Sequence, residues 1–269
     1  MIRKTVWAGP RNFYPDNPEV LNKTIAKLID TGQKKEDCKA VLMPHAGYFY
    51  SGYVAGKTIS TVNIPDTIII LGPNHTGLGM PYSMLRKGAW QSPFGNISIQ
   101  EELASLILKN SGYFKEDETP HIKEHAIEVE IPFLQYFNKN ISIVPIIISD
   151  FVLNNYRKAA AELANAIKKF AKPVLIVISS DLTHYESHEK VKEKDSQVIE
   201  AIQELDVNKL YEKVNTNKIS MCGCAPACVG LYTALNLGAK ETRLIDYKTS
   251  GDITGDFTSV VGYAGLIIK

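Results

Sequence analysis

Two histidines in this sequence stand in the same unusual setting. His45 follows the apolar run Ala40-Val41-Leu42-Met43 and lies within Pro44-His45-Ala46-Gly47; His75 follows Ile68-Ile69-Ile70-Leu71 and lies within Gly72-Pro73-Asn74-His75-Thr76-Gly77. Neutral imidazole is the commonest protein ligand for transition metals, and ligands set on separate strand ends make a rigid, partly open site. Either ring alone could as well cap a turn or hydrogen-bond locally. The repeated pattern is what points to a metal.

Three of the four cysteines crowd into Cys222-Gly223-Cys224-Ala225-Pro226-Ala227-Cys228. A zinc ribbon would need a second Cys or His pair at ribbon spacing, and none exists. One cysteine, Cys222, as third ligand of a His-His-Cys centre fits better, although small residues opening a buried helix would look the same. Asp181 and His184 lie three apart after the apolar run ending at Ser179, a pairing suited to proton transfer because histidine titrates near neutrality. The competing reading has Asp181 capping a turn and His184 bonding locally. His125 opens a segment of helical period and could turn its ring to the same place. His121 and His188 sit among polar and charged residues and read as solvated. Tyr48, Tyr50 and Tyr185 flank these groups. No Walker loop, dinucleotide fingerprint or nucleophile elbow occurs.

What must position these residues is a sheet covered by helices. Short β-branched runs over 40–43, 67–71, 141–148, 174–179, 242–247 and 260–268 alternate with helical segments over 18–31, 51–62, 100–110, 126–138, 154–170, 190–204 and 225–237. Asn154 is placed to cap the helix after it, and residues 82–99 read as an antiparallel ribbon. The expected fold is α/β, a single domain over 1–269 with a central mixed, mostly parallel sheet. His45, His75 and Asp181 each follow a buried-looking strand, and ligands collect beyond the carboxyl ends of strands in open α/β sheets. The chain has 269 residues, 45% hydrophobic and 22% charged, the range of an ordinary globular protein. Thirty basic and twenty-nine acidic residues leave no field to attract nucleic acid or an acidic membrane surface. The longest apolar runs fall far short of the roughly 18 residues a membrane helix needs. With no apolar stretch behind Met1–Trp7 and no disulfide framework, the expected location is cytoplasmic.

The motifs Pro44-His45-Ala46-Gly47-Tyr48, Gly72-Pro73-Asn74-His75, Glu124-His125-Ala126-Ile127-Glu128, Ser179-Ser180-Asp181-Leu182-Thr183-His184 and Cys222-Gly223 with Pro226 resemble, in order and spacing, those of the Memo-like family, called AmmeMemoRadiSam system protein B in bacteria and archaea. The resemblance runs from Trp7-Ala8-Gly9 to Gly262-Tyr263-Ala264-Gly265. It implies a fold similar to the class III extradiol (LigB-type) non-haem iron dioxygenases. It further implies His45 and His75 as metal ligands, Cys222 in place of the glutamate of those dioxygenases, and His184 as acid–base group with Asp181 and His125 beside it. Iron is the first expectation for the ion, with copper or zinc after it; sulfur is softer than carboxylate, so dioxygenase activity is not simply inherited. Cys224, two residues on, leaves the identity of the sulfur ligand open. The leading function is a metal-dependent redox enzyme acting on a small substrate. The alternatives are a peptide- or phosphopeptide-binding module using the same pocket, and a subunit of a radical-SAM-linked modification pathway. Substrate and oligomeric state are not legible.

Overall fold

Four runs without polar alternation, Ala40–Met43 (β2), Thr67–Pro73 (β3), Ser142–Ile148 (β8) and Leu175–Ser179 (β9), have to be covered on both faces, and they form the centre of the sheet. The computed structural model describes residues 2–9, 13–109 and 111–269. Met1, and Asn110 at the end of the helix expected over 100–110, lie outside the described residues. The other strands are Ile2–Arg3 (β1), Tyr82–Met84 (β4), Ala89–Ser92 (β5), Gly95–Ile99 (β6), Lys115–Glu116 (β7), His184–Glu186 (β10), Thr242–Thr249 (β11) and Val260–Ile268 (β12). The helices are Pro18–Leu28 (α1), Tyr48–Ile59 (α2), Glu101–Leu108 (α3), Ile131–Phe137 (α4), Leu153–Phe170 (α5), His188–Gln203 (α6), Val207–Thr216 (α7), Cys224–Asn236 (α8) and Gly251–Thr254 (α9).

The sheet runs β1-β5-β6-β8-β3-β9-β2-β12-β10, with β11 added to β12 and β4 bridging β7 and β8. Strands β6, β8, β3, β9 and β2 are parallel; β12 lies antiparallel to β2, and β11 and β10 antiparallel to β12. The result is the mixed, centrally parallel α/β sheet expected. Helices α5 and α8 pack together on one face, where Gly230 brings α8 against Ile178 and Leu71. Helices α1 and α2 cover the other.

Several local expectations change. Asn154 caps nothing: α5 starts one residue earlier, and the Asp150 carboxylate accepts from the Phe151 and Val152 N–H groups ahead of it. The segment expected as a helix over 126–138 is helical only from Ile131; residues 126–130 form turns, because side chains rather than a helical ladder take the preceding N–H groups. Only β5 and β6 make the ribbon expected over 82–99. Helix α7 was missed, although Asp206 caps it through the Lys209 N–H and it buries Leu210 and Val214 four apart.

Asp195 on α6 is fully buried against β12, where Gly262 leaves it room, and accepts from the Thr183 N–H (3.0 Å) and the Tyr247 hydroxyl (2.8 Å). Burial pushes its carboxyl from an ordinary 3.8 up to about 6. A raised folded-state pKa gives stability that is complete below the unfolded value and lost as pH rises through the folded one. In urea unfolding, Asp195→Asn should therefore gain on the parent protein by about 2 kcal/mol between pH 4 and 6.5. A difference that stays flat over that interval would show that Asp195 ionises no differently when folded.

Candidate metal centre

Strands β3, β9 and β2 are neighbours in that order, with Leu71 opposite Ile178 and Met43 opposite Ser179. Their carboxyl ends therefore share one rim, and His45, His75 and Asp181, each two residues beyond a strand, meet there. Cys222 arrives from the connection between α7 and α8. Gly223 permits this, since a Cβ there would lie 2.3 Å from that of Ser180. His125 comes from the turns before α4.

His45, His75 and His125 each offer one ligating nitrogen, all within 4.8 Å of one another. The His75 and His125 rings stack at 4.4 Å, and each lies edge-on to His45 at 5.3 Å. Outer groups orient them. The Glu124 carboxylate accepts from His75 Nδ1 (2.8 Å) and from the N–H groups of His75, His125 and Ala126, and lies 3.4 Å from His125 Nδ1. Burial works against its charge, but the bonds from His75 and Ala126 outweigh burial and hold the carboxyl down at about 2. A carboxylate can only accept, so His75 Nδ1 carries a proton and Nε2 is the nitrogen left to face an ion. His45 turns Nδ1 to Ser179 Oγ at 2.7 Å. Burial, and then the neighbouring rings, hold His45 and His125 down at about 3, so both are neutral and ready to ligate at neutral pH.

Cys222 Sγ lies 3.3 Å from His45 Nε2 and donates to the Asp181 carbonyl. Burial, reinforced by the Asp181 charge, pushes its thiol well up. Neutral imidazoles backed by a carboxylate, with sulfur in reach, are a donor set that fits iron, copper or zinc. The sequence had placed His125 beside the acid–base group His184; the geometry sets it among the candidate ligands, with Cys222 at their edge.

Asp181 and His184 are less closely related than their spacing suggested. Asp181 is buried and accepts from the His45 and Ala46 N–H groups, fixing the loop beyond β2; burial raises its pKa. His184 sends Nδ1 to the Ser220 carbonyl (2.9 Å). That carbonyl orients the ring. Both residues line a cavity of about 830 Å³ above the three histidines, with Tyr50, Tyr185 and Tyr263 on its walls. Tyr48 is buried under it and donates to the Val129 carbonyl. Cys228 is buried in α8, and Cys224 lines a separate cleft that touches His75 and Cys222.

His121 is a correction: it is fully buried, with Nε2 at 3.2 Å from the Ser83 carbonyl, because the charged residues around it turn outward or pair while its ring fills the space beside Trp90. His188 is half-buried on Thr249 and Phe257. Sequence reasoning also gave no role to the groups that hold Glu124 in place. Buried Arg3 pairs with Glu128 and donates to the carbonyls of His121 and Glu124, while Glu128 accepts from Tyr14 and from the N–H groups of Val6 and Trp7. A charged Arg3 beside Trp7 near the start of the chain, and two more acids within Glu124–Glu130, were the available signals.

Comparison with known proteins agrees with these motifs. The family model described as Memo-like protein matches residues 3–267. A MEMO1 family protein of Aquifex aeolicus is 41% identical over 268 residues, 99% of this chain and 98% of its own length. One from Methanobrevibacter smithii is 37% identical over 284 residues, the whole of both chains. Among solved structures, uncharacterized protein JW3007 from Escherichia coli K12 matches with a TM-score of 0.52 at 10% identity, over 85% of this chain and 98% of that one, a likeness of fold alone.

Glu124→Gln keeps the size of the side chain but not its charge. Zinc affinity, measured by competition with a chromophoric chelator, should fall about 10- to 100-fold. Unchanged affinity would mean that Glu124 does not support the ligands.

Proposed function

This chain belongs to the Memo-like protein family, and from that premise we propose that it is a metal-dependent redox enzyme acting on a small organic substrate, its iron or copper ion held by His45 and His75 with His125 or Cys222 as the third donor. One observation carries the reading: three imidazoles present ligating atoms within 4.8 Å at the floor of an open cavity. A structural zinc site is closed by four ligands, whereas a catalytic one keeps a position for substrate. The cavity, at about 830 Å³, suits a small molecule. A bound ion would supply Lewis acidity and one-electron exchange.

The chain's own residues do the rest. Asp181 fixes the backbone of His45, so that ligand keeps its place as the cavity fills. The Ser220 carbonyl can only accept, so His184 carries its proton on Nδ1 and takes or gives a proton at Nε2. Tyr263 is buried, which holds its phenol in the protonated, donating form. A phosphopeptide is a poorer fit, because among the described residues the cavity lining includes neither lysine nor arginine.

Protein purified without added metal should carry close to one iron or copper ion per chain. His45→Ala and His75→Ala should each lower affinity for the ion by more than about 100-fold. Cobalt(II) loading should give a sulfur-to-metal charge-transfer band that Cys222→Ser abolishes. Stoichiometry far below one, with His45→Ala binding as well as the parent, would end the metal reading; a missing charge-transfer band would remove Cys222 alone.

A further inference from the structure

Behind His45, on the side away from the cavity, one hydroxyl serves three partners. Ser179 Oγ lies 2.7 Å from His45 Nδ1, 2.7 Å from the Ala126 carbonyl and 3.0 Å from Glu130 Oε1. Ser179, Ala126 and Glu130 are fully buried and His45 nearly so. A serine hydroxyl has one proton to give and two lone pairs to accept with. The Ala126 carbonyl cannot donate, so the Ser179 proton goes to it. The other two partners must then donate to Ser179: His45 through Nδ1–H, and Glu130 through a carboxylic O–H.

We propose that Glu130 is a permanently neutral carboxylic acid that donates to Ser179, whose own proton is committed to Ala126, so that the same hydroxyl holds the His45 ring with Nδ1 protonated and Nε2 free for a metal. The alternative, an ionised Glu130, would have to take the Ser179 proton and leave two bare oxygens, those of Ser179 and Ala126, facing each other at 2.7 Å. Among the described residues, Glu130 Oε2 has no hydrogen-bond partner and no cation contacts the carboxyl. The titratable groups whose charge bears on it are Asp181, of like sign, and Tyr48. Burial above all holds this carboxyl well above its ordinary range, with the Ser179 bond opposing and the Asp181 charge reinforcing. An unpartnered oxygen is tolerable on a neutral acid and far more costly on a buried carboxylate.

The use of this device rests on the metal reading above, but the protonation of Glu130 does not, and metal-free protein tests it separately. In infrared difference spectra at pH 7, the parent should show a protonated-carboxyl band that disappears in Glu130→Gln. Nitrogen NMR should find His45 as the Nδ1–H tautomer in both, since glutamine keeps a donor to Ser179. Ser179→Ala removes the acceptor that His45 Nδ1–H faces and should mix the tautomers; its zinc affinity should fall about tenfold, against less than about threefold for Glu130→Gln. Absence of the protonated-carboxyl band, or His45 as the Nε2–H tautomer in the parent, would overturn the proposal. So would a Ser179→Ala protein whose His45 tautomer matches that of the parent. If Ser179→Ala does not fold, the infrared and NMR comparison of parent with Glu130→Gln still decides.

Discussion

The Glu124 carboxylate ties together two parts of the chain that would otherwise have no reason to meet. It accepts from the backbone and ring of His75, beyond β3, and from the N–H groups of His125 and Ala126 in its own turn. A buried carboxylate is tolerable only when donors surround it, and here the donors are the candidate ligands and their own backbone. Arg3 and Glu128 do for the segment what Glu124 does for the ligands. An ion pair buried this deeply is weak evidence of stability, and breaking one side of it is costly. Its effect is to hold Glu124–Glu130 in turns against the sheet.

Three acids lie around the centre, and their partners give each a different state. Glu124 faces N–H groups and is held at about 2. Glu130, six residues on, faces a hydroxyl already committed to a carbonyl, and burial drives it the other way. Asp181 faces two backbone N–H groups yet is buried deeply enough that its pKa still rises. The carboxyl group is the same in all three; the supply of donors differs.

How much of this was legible follows from the same physics. The central strands were readable because unbroken β-branched runs have few alternatives, and the rim followed because parallel neighbours must end on one side. His45 and His75 were visible from their place beyond those strands. His125 was named but set in a helix, since its apolar spacing is helical while its backbone is governed by Glu124, which no periodicity reports. Ser179 and Glu130 looked like the end of a strand and the start of a helix; only the fold shows that they meet behind His45. His121 was misread because charged neighbours in sequence say little about a ring turned inward.

Four donors at the rim are more than an open three-ligand centre needs, and they are not equivalent. His75 is held firmly by Glu124, and His45 by Ser179 and, at its backbone, Asp181. His125 has the looser tie to Glu124, at 3.4 Å, with Phe13 and Trp7 against its ring. Cys222 lies close to His45 but is a thiol, and becoming a ligand requires it to lose a proton against burial and the Asp181 charge. A soft ion bonds sulfur strongly enough to meet that cost; a harder one gains less and is better served by the third imidazole. With His45 and His75 fixed, the choice between His125 and Cys222 rests with the ion.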